Sequence, residues 1–184
     1  ASIVLCSATQ PAVQRRNDFA RGLEDVREIV DDPQALAVSL QRTKVDVEGE
    51  MTDAELANQI CGHDQVLCVV NTRRHARELY CRMRETEGAC HVSALMCPAH
   101  RSQKLTGIRQ RLKNGRPCRL VSTQLIEAGV DIDFPVVFRS LAGIDSIAQA
   151  SGRCNREGKL DRGQVFIFQP EAGNPCGRFR QTAH

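Results

Sequence analysis

The sequence predicts an α/β domain in which a parallel β-sheet is covered by helices on both faces. Three observations predict it. The 184 residues are 41% hydrophobic but only 4% aromatic, with no Trp, which suits a core of Val, Ile, Leu and Ala better than a β-sandwich. The short apolar run QVLCVVN has the composition of a strand buried on both faces, and CRLVS and VVFRS also read as strands. Amphipathic segments lie between them, and strand–helix alternation builds parallel sheets. The length suffices for one well-cored domain with a short appendage.

Each element follows in order. SIVLCSAT predicts a strand ending in a small polar turn, and residues 10–34, with Pro11, a charge cluster and DDP, a connector. VSLQRTKVDVEGE alternates apolar and polar residues, which predicts a strand from Val38 to Val47. In TDAELANQIC, Thr52 is an N-cap with Glu55 three residues on, a capping box opening a short helix. QVLCVVN predicts a strand leading into TRRHARELYCRMRET, where Ala76, Leu79, Tyr80 and Met83 form one apolar helical stripe. HVSALM predicts a strand. RSQKLTGIRQRLKNG predicts a helix with Leu105, Ile108 and Leu112 on one face and Gly115 as its stop. CRLVS is then a strand, TQLIEAG a short helix, VVFRS a strand, DSIAQASGRC a helix and QVFIF the last strand.

The formal net charge is only +3, but its distribution is uneven. From Glu24 to Asp64 there are 3 Lys/Arg against 11 Asp/Glu; from Asn71 to Arg119 there are 12 against 3. That reversal suggests a polyanion-facing surface on the second segment. The nine cysteines contain no Cys-x-x-Cys pair, and an odd count without a secretory signal points to a reducing cytoplasm. Cys90, His91, Cys97 and His100 approach a zinc spacing, but a strand between them would splay the ligands, so no metal site is expected. Apolar runs of about five residues neither span nor anchor to a membrane. The chain starts on Ala1 inside an apolar strand pattern, which predicts a piece of a longer protein.

Ligands of open parallel sheets gather outside the carboxyl ends of the strands. Asn71-Thr72-Arg73, Ser122-Thr123-Gln124 and the stretch from Gln149 to Arg156 are all expected at that edge. Gln149, Arg153 and Arg156 stand four and then three residues apart, which would place them near one helical face. Two neighbouring guanidiniums repel unless an anion lies between them, and their planar fork suits phosphate. In VSTQLIEAGVDIDFPVVF, a hydroxyl pair after a strand offers backbone N–H groups and the Thr123 hydroxyl to a phosphate. Gly129 there permits a close backbone approach, and Asp131 is spaced to accept from a ribose hydroxyl.

Together these runs resemble the second RecA-like lobe of superfamily two helicases. SAT at Ser7–Thr9 resembles motif III, VVNTRRHARELY motif IV, STQLIEAGVDID motif V and QASGRCNREG motif VI. Within the superfamily, TQLIEAGVDIDF and QASGR followed by Asn155 are most similar to the CRISPR-associated helicase–nuclease of type I systems. DEAD-box proteins usually carry His-Arg-x-Gly-Arg-x-Gly-Arg at motif VI; here Gln149 replaces that His, Ala150 that Arg and Asn155 the second Gly.

The resemblance implies a RecA-like fold, with residues 1–34 the end of a first lobe and a connector, and residues 35–184 the second lobe. It implies that Arg153 and Arg156 reach the γ-phosphate of ATP, Arg156 as the arginine finger, with Gln149, Gly129 and Asp131 at the nucleotide. Thr72 and Thr123 would hold DNA phosphates, with Arg73 and Arg101 beside them. ATP and Mg2+ would be held mainly by the first lobe, because the sequence contains neither G-x-x-x-x-G-K-[ST] nor an acidic magnesium box. This piece alone is therefore expected to bind neither and to be catalytically silent. His63-Asp64 lacks further ligands for an HD-type nuclease centre, so that domain would lie elsewhere in the parent. The implied activity is 3′-to-5′ ATP-driven translocation on single-stranded DNA, degrading targets marked by a guide-RNA surveillance complex. A non-catalytic nucleic-acid-binding or docking module, and the second lobe of an RNA helicase, stand as the alternatives.

Overall fold

A computed structural model describes residues 4, 13–15, 17, 19–27, 29–126 and 129–171. The SIVLCSAT strand and the Ser7–Thr9 motif lie outside the described residues, apart from Val4. The chain divides into two compact units between Gln41 and Arg42.

The first unit contains an isolated bridge between Gln14 and Leu23 and one helix, α1 (Pro33–Ser39). Asp32 caps α1 by accepting from the Ala35 amide at 2.9 Å, and Pro33 occupies its first turn. A capping Asp followed by Pro is a helix start. It overrides the apolar–polar alternation that predicted a strand from Val38.

The second unit is a six-stranded sheet of order β1-β6-β5-β2-β4-β3, with every neighbouring pair parallel. Its strands are β1 (Thr43–Met51), β2 (Gln65–Val69), β3 (Ala89–Val92), β4 (Cys118–Ser122), β5 (Val136–Ser140) and β6 (Gly163–Pro170). The helices are α2 (Asp53–Cys61), α3 (Arg73–Met83), α4 (Pro98–Lys113) and α5 (Ile144–Ser151). The α/β expectation holds, and the sheet has the RecA-like arrangement.

Side-chain alternation along the central strands sorts the core into two layers. Val66, Cys68 and Val70 pack with Leu56 and Ile60 of α2 and with Ala76, Leu79 and Met83 of α3. Leu67 and Val69 face the other way, toward Leu105 and Ile108 of α4 and Ala150 of α5. The apolar stripe expected on α3 is therefore a core face, with Tyr80 at its margin, stacked on His91. The Thr52–Glu55 capping box closes in both directions at the start of α2.

β3 and the element after β4 also differ in extent from expectation. β3 starts at Ala89 and stops at Val92 because Ser93 turns the chain: its hydroxyl accepts from the Leu95 amide and its carbonyl from the Met96 amide. Leu95 is left exposed, and α4 then starts at Pro98. The short helix expected after β4 is a single 3-10 turn, Gln124–Ile126. Among the described residues no helix is long and apolar enough to cross a membrane.

Candidate functional site

The expected site residues divide between two opposite rims of the sheet. A helix that follows a parallel strand runs back antiparallel to it, so its C-terminus returns to the rim where strands begin. α5 does this. It stops at Ser151, with Gly152 donating back to the Ala148 carbonyl at 2.9 Å. Beyond it the chain is stitched to the segment leading into β5. The Phe134 amide donates to the Arg153 carbonyl and the Asn155 amide to the Phe134 carbonyl, both at 2.9 Å. Gln149 to Arg156 therefore lies at the amino rim, not at the carboxyl edge with the other loops. Arg153 and Arg156 are also off the helix, so the single helical face expected for Gln149 and the two arginines does not exist.

Asn155 organises this turn. It is buried, with a φ of 46°, a left-handed conformation that Asn tolerates better than most residues. Its Nδ2 donates to the Arg42 carbonyl at 3.1 Å and the Leu160 carbonyl at 2.8 Å. Its Oδ1 accepts from the Leu160 amide at 2.9 Å. That conformation is the physical reason Asn can hold a turn position that otherwise favours Gly.

Arg156 and Asp131 meet at this rim, Nη1 to Oδ1 at 3.0 Å, the aspartate almost fully solvated. The Arg156 amide donates to Asp133 Oδ1 at 2.7 Å, and its carbonyl accepts from Arg42 at 2.7 Å. Arg153 is half-buried, and its Nε donates to the Ile126 carbonyl at 3.3 Å. Gly129 has a φ of 68°, with open space where a Cβ would stand. Arg109, Asp131, Asp133, Asn155, Glu157 and Lys159 line an open cleft here of about 500 Å³. Gln149 is exposed in the last turn of α5.

At the carboxyl rim, β2, β4 and β3 are adjacent, so their exit loops gather. Thr72 caps α3, its Oγ1 accepting from the His75 amide at 3.1 Å. An accepting hydroxyl keeps its own O–H free to donate to a phosphate oxygen. Thr123 is buried just beyond β4 and starts the 3-10 turn, its backbone carbonyl accepting from the Ile126 amide at 3.1 Å. Arg73 is exposed at the start of α3 and Arg101 half-exposed in the first turns of α4.

Two features escaped the sequence reading. Arg139, in VVFRS, is fully buried beside Asn71 and Ser146; its signal was a lone charge inside a doubly buried strand. Asp53 and His75 form a buried pair at 2.8 Å between α2 and α3, and no spacing rule finds two residues so far apart. Cys90 Sγ sits 4.0 Å from Cys118 Sγ, His63 packs on Phe138, and Asp64 pairs with Arg119. Among the described residues no three His, Cys, Asp or Glu could share a metal ion.

A parallel six-stranded sheet of this order, with an arginine-bearing turn on one rim and hydroxyl and basic loops on the other, has the form of a RecA-like lobe. The family follows from comparison. Residues 62–159 match the model described as CRISPR-associated nuclease/helicase Cas3, C-terminal, and the chain belongs to that family. The Cas3 of Haloferax volcanii is 52% identical over 64 residues, 32% of this chain and 7% of that protein. The Cas3 of Methanothermobacter thermautotrophicus is 34% identical over 107 residues, 56% of this chain and 13% of that one. The chain thus matches only a small fraction of either relative's length. The crystal structure of T. fusca Cas3 with ATP superposes with a TM-score of 0.57 at 17% identity, covering 71% of this chain and 18% of that one. A chain of a CRISPR RNA-guided surveillance complex, pre-nicking, gives 0.52 at 17% identity over 72% of this chain and 19% of that one. At such identities the two structures speak for the fold alone.

Proposed function

We propose that this lobe is one half of an ATP-driven motor on single-stranded DNA in CRISPR type I interference, with its nucleotide surface on the amino rim and its DNA surface on the carboxyl rim. Residues 1–34 are the end of the first lobe and the connector to this one. The parent carries the first lobe, an HD nuclease domain and a docking surface for a guide-RNA surveillance complex, and works in the cytoplasm. The observation that carries the reading is the meeting of Arg156 with Asp131, two residues from separate motifs that the same nucleotide would need.

An exposed ion pair is weak, so a triphosphate can replace the carboxylate as the partner of Arg156. The charge fit supports ATP at this rim: Arg153 and Arg156 would take γ-phosphate oxygens, while Asp131, Gly129 and Gln149 would lie against the rest of the nucleotide. When bound, ATP supplies the phosphoryl group whose transfer drives the cycle. Mg2+ would be held mainly by the other lobe. The two guanidiniums gain their phosphate partner only when the lobes close, so closure is favoured before hydrolysis and opening after it. Thr72 and Thr123 would grip DNA phosphates, with Arg73 and Arg101 adding charge. If that grip differs between open and closed states, each cycle advances the strand.

The test is Arg156→Ala in the full-length protein. DNA-stimulated ATP hydrolysis falls about 10³-fold or more, while single-stranded DNA still binds through the opposite rim with steep salt dependence. Hydrolysis at the unaltered rate would refute the finger assignment, and stimulation by RNA alone would refute the DNA motor.

A further inference from the structure

The buried guanidinium of Arg139 joins three segments at the carboxyl rim. Nη1 donates to Asn71 Oδ1 and to the Ser140 carbonyl, each at 2.8 Å. Nη2 donates to Ser146 Oγ at 2.9 Å. Asn71 completes the net, its Nδ2 donating to Ser140 Oγ at 3.1 Å and to the Leu141 carbonyl at 2.8 Å. One side chain thus holds the loop after β2, the end of β5 and the first turn of α5.

Burying a guanidinium is costly, and an apolar side chain of similar volume often serves stability as well. What an apolar residue cannot do is fix three segments with a rigid fork. α5 is a rod of eight residues, about 12 Å long. At one end Ser146 is bound to Arg139; at the other, Gly152 and Arg153 begin the amino-rim turn. The loop held through Asn71 leads directly into Thr72.

We propose that Arg139 is a positioning residue that couples the DNA-facing loop to the arginine-bearing turn, with α5 as the connecting strut. The proposal rests on the motor reading above. A shift of the Asn71–Thr72 loop against β5 moves the Arg139 fork, and Ser146 passes the movement to α5.

The experiment uses the full-length protein and measures ATP hydrolysis without and with an oligo-dT single strand, alongside the melting temperature. In Ser146→Ala, melting falls modestly because a buried guanidinium N–H loses its partner; DNA-free hydrolysis stays as in the parent, while stimulation by DNA drops about tenfold, the scale of one hydrogen bond to a charged group. Ser146→Thr restores stimulation, and Arg139→Lys, which keeps charge but loses the fork, shows a larger drop. Parent-like stimulation in Ser146→Ala would overturn the coupling role. So would a proportional fall of the DNA-free and DNA-stimulated rates, which marks a scaffold. A parent that DNA does not stimulate would overturn the motor reading and this proposal with it.

Discussion

Asn155→Gly removes the side chain that organises the Arg153–Arg156 turn while permitting the left-handed backbone. Lost are the two bonds donated to the Arg42 and Leu160 carbonyls and the one accepted from the Leu160 amide. At about 1 kcal/mol each the sum is about 3 kcal/mol. Arg42 and Leu160 lie at the surface, so water recovers part of this and about 2 kcal/mol remains. For a chain of this size that lowers the melting temperature by about 4–8 °C. Asn155→Ala loses the same bonds and also strains a φ of 46°, so it falls below Asn155→Gly by about 1 kcal/mol more. With no Trp and one Tyr, the suitable assay is urea unfolding followed by far-ultraviolet circular dichroism, compared at equal denaturant slope. A Gly variant within about 0.5 kcal/mol of the parent would refute the bond accounting. An Ala variant as stable as the Gly variant would refute the left-handed turn.

Two further outcomes follow from burial. Desolvation, aided by Arg119 and Lys104 respectively, holds the imidazoles of His63 and His91 below their ordinary pKa. The fold favours their neutral forms, so that contribution is complete above about pH 6.5 and is lost as pH falls below it; melting temperatures should drop on that side, less steeply in His91→Phe. Cys81 and Cys97 are exposed, whereas burial raises the Cys68 thiol and pushes Cys154 up to about 12. Mass mapping after brief alkylation of the native chain should find Cys81 and Cys97 modified and Cys68 and Cys154 intact; rapid labelling of either buried thiol would contradict the packing.

Local physics was legible in the sequence. The Thr52 capping box, the apolar β2, β4 and β5 runs and the α3 core stripe each depend on residues a few positions apart, and each stands where expected. The misreadings have local causes too. Asp32-Pro33 starts a helix that the following alternation hid, and Ser93 ends β3 with its own hydroxyl. The placement of the site failed for a different reason. The rule that ligands gather at carboxyl ends suits loops leaving strands, but motif VI leaves a helix and returns to the other rim. The family signature in Gln149–Gly158 identified the lobe without revealing which end of the sheet it occupies. Arg139 and the Asp53–His75 pair act across distant positions, beyond any short-range pattern.

The pairing of β1 with β6 sets a timetable for synthesis. Thr43 lies opposite Gly163, 163 − 43 = 120 residues later in the chain. A ribosome adding roughly 5–20 residues per second leaves the nascent β1 segment without its neighbour for about 6–24 seconds. During that wait Val45 and Val47 stand on a backbone with unspent hydrogen bonds, the kind of strand that strays into other chains. The Lys44, Asp46, Glu48 and Glu50 charges interleaved with them are the protection such a segment carries while its partner is still being made.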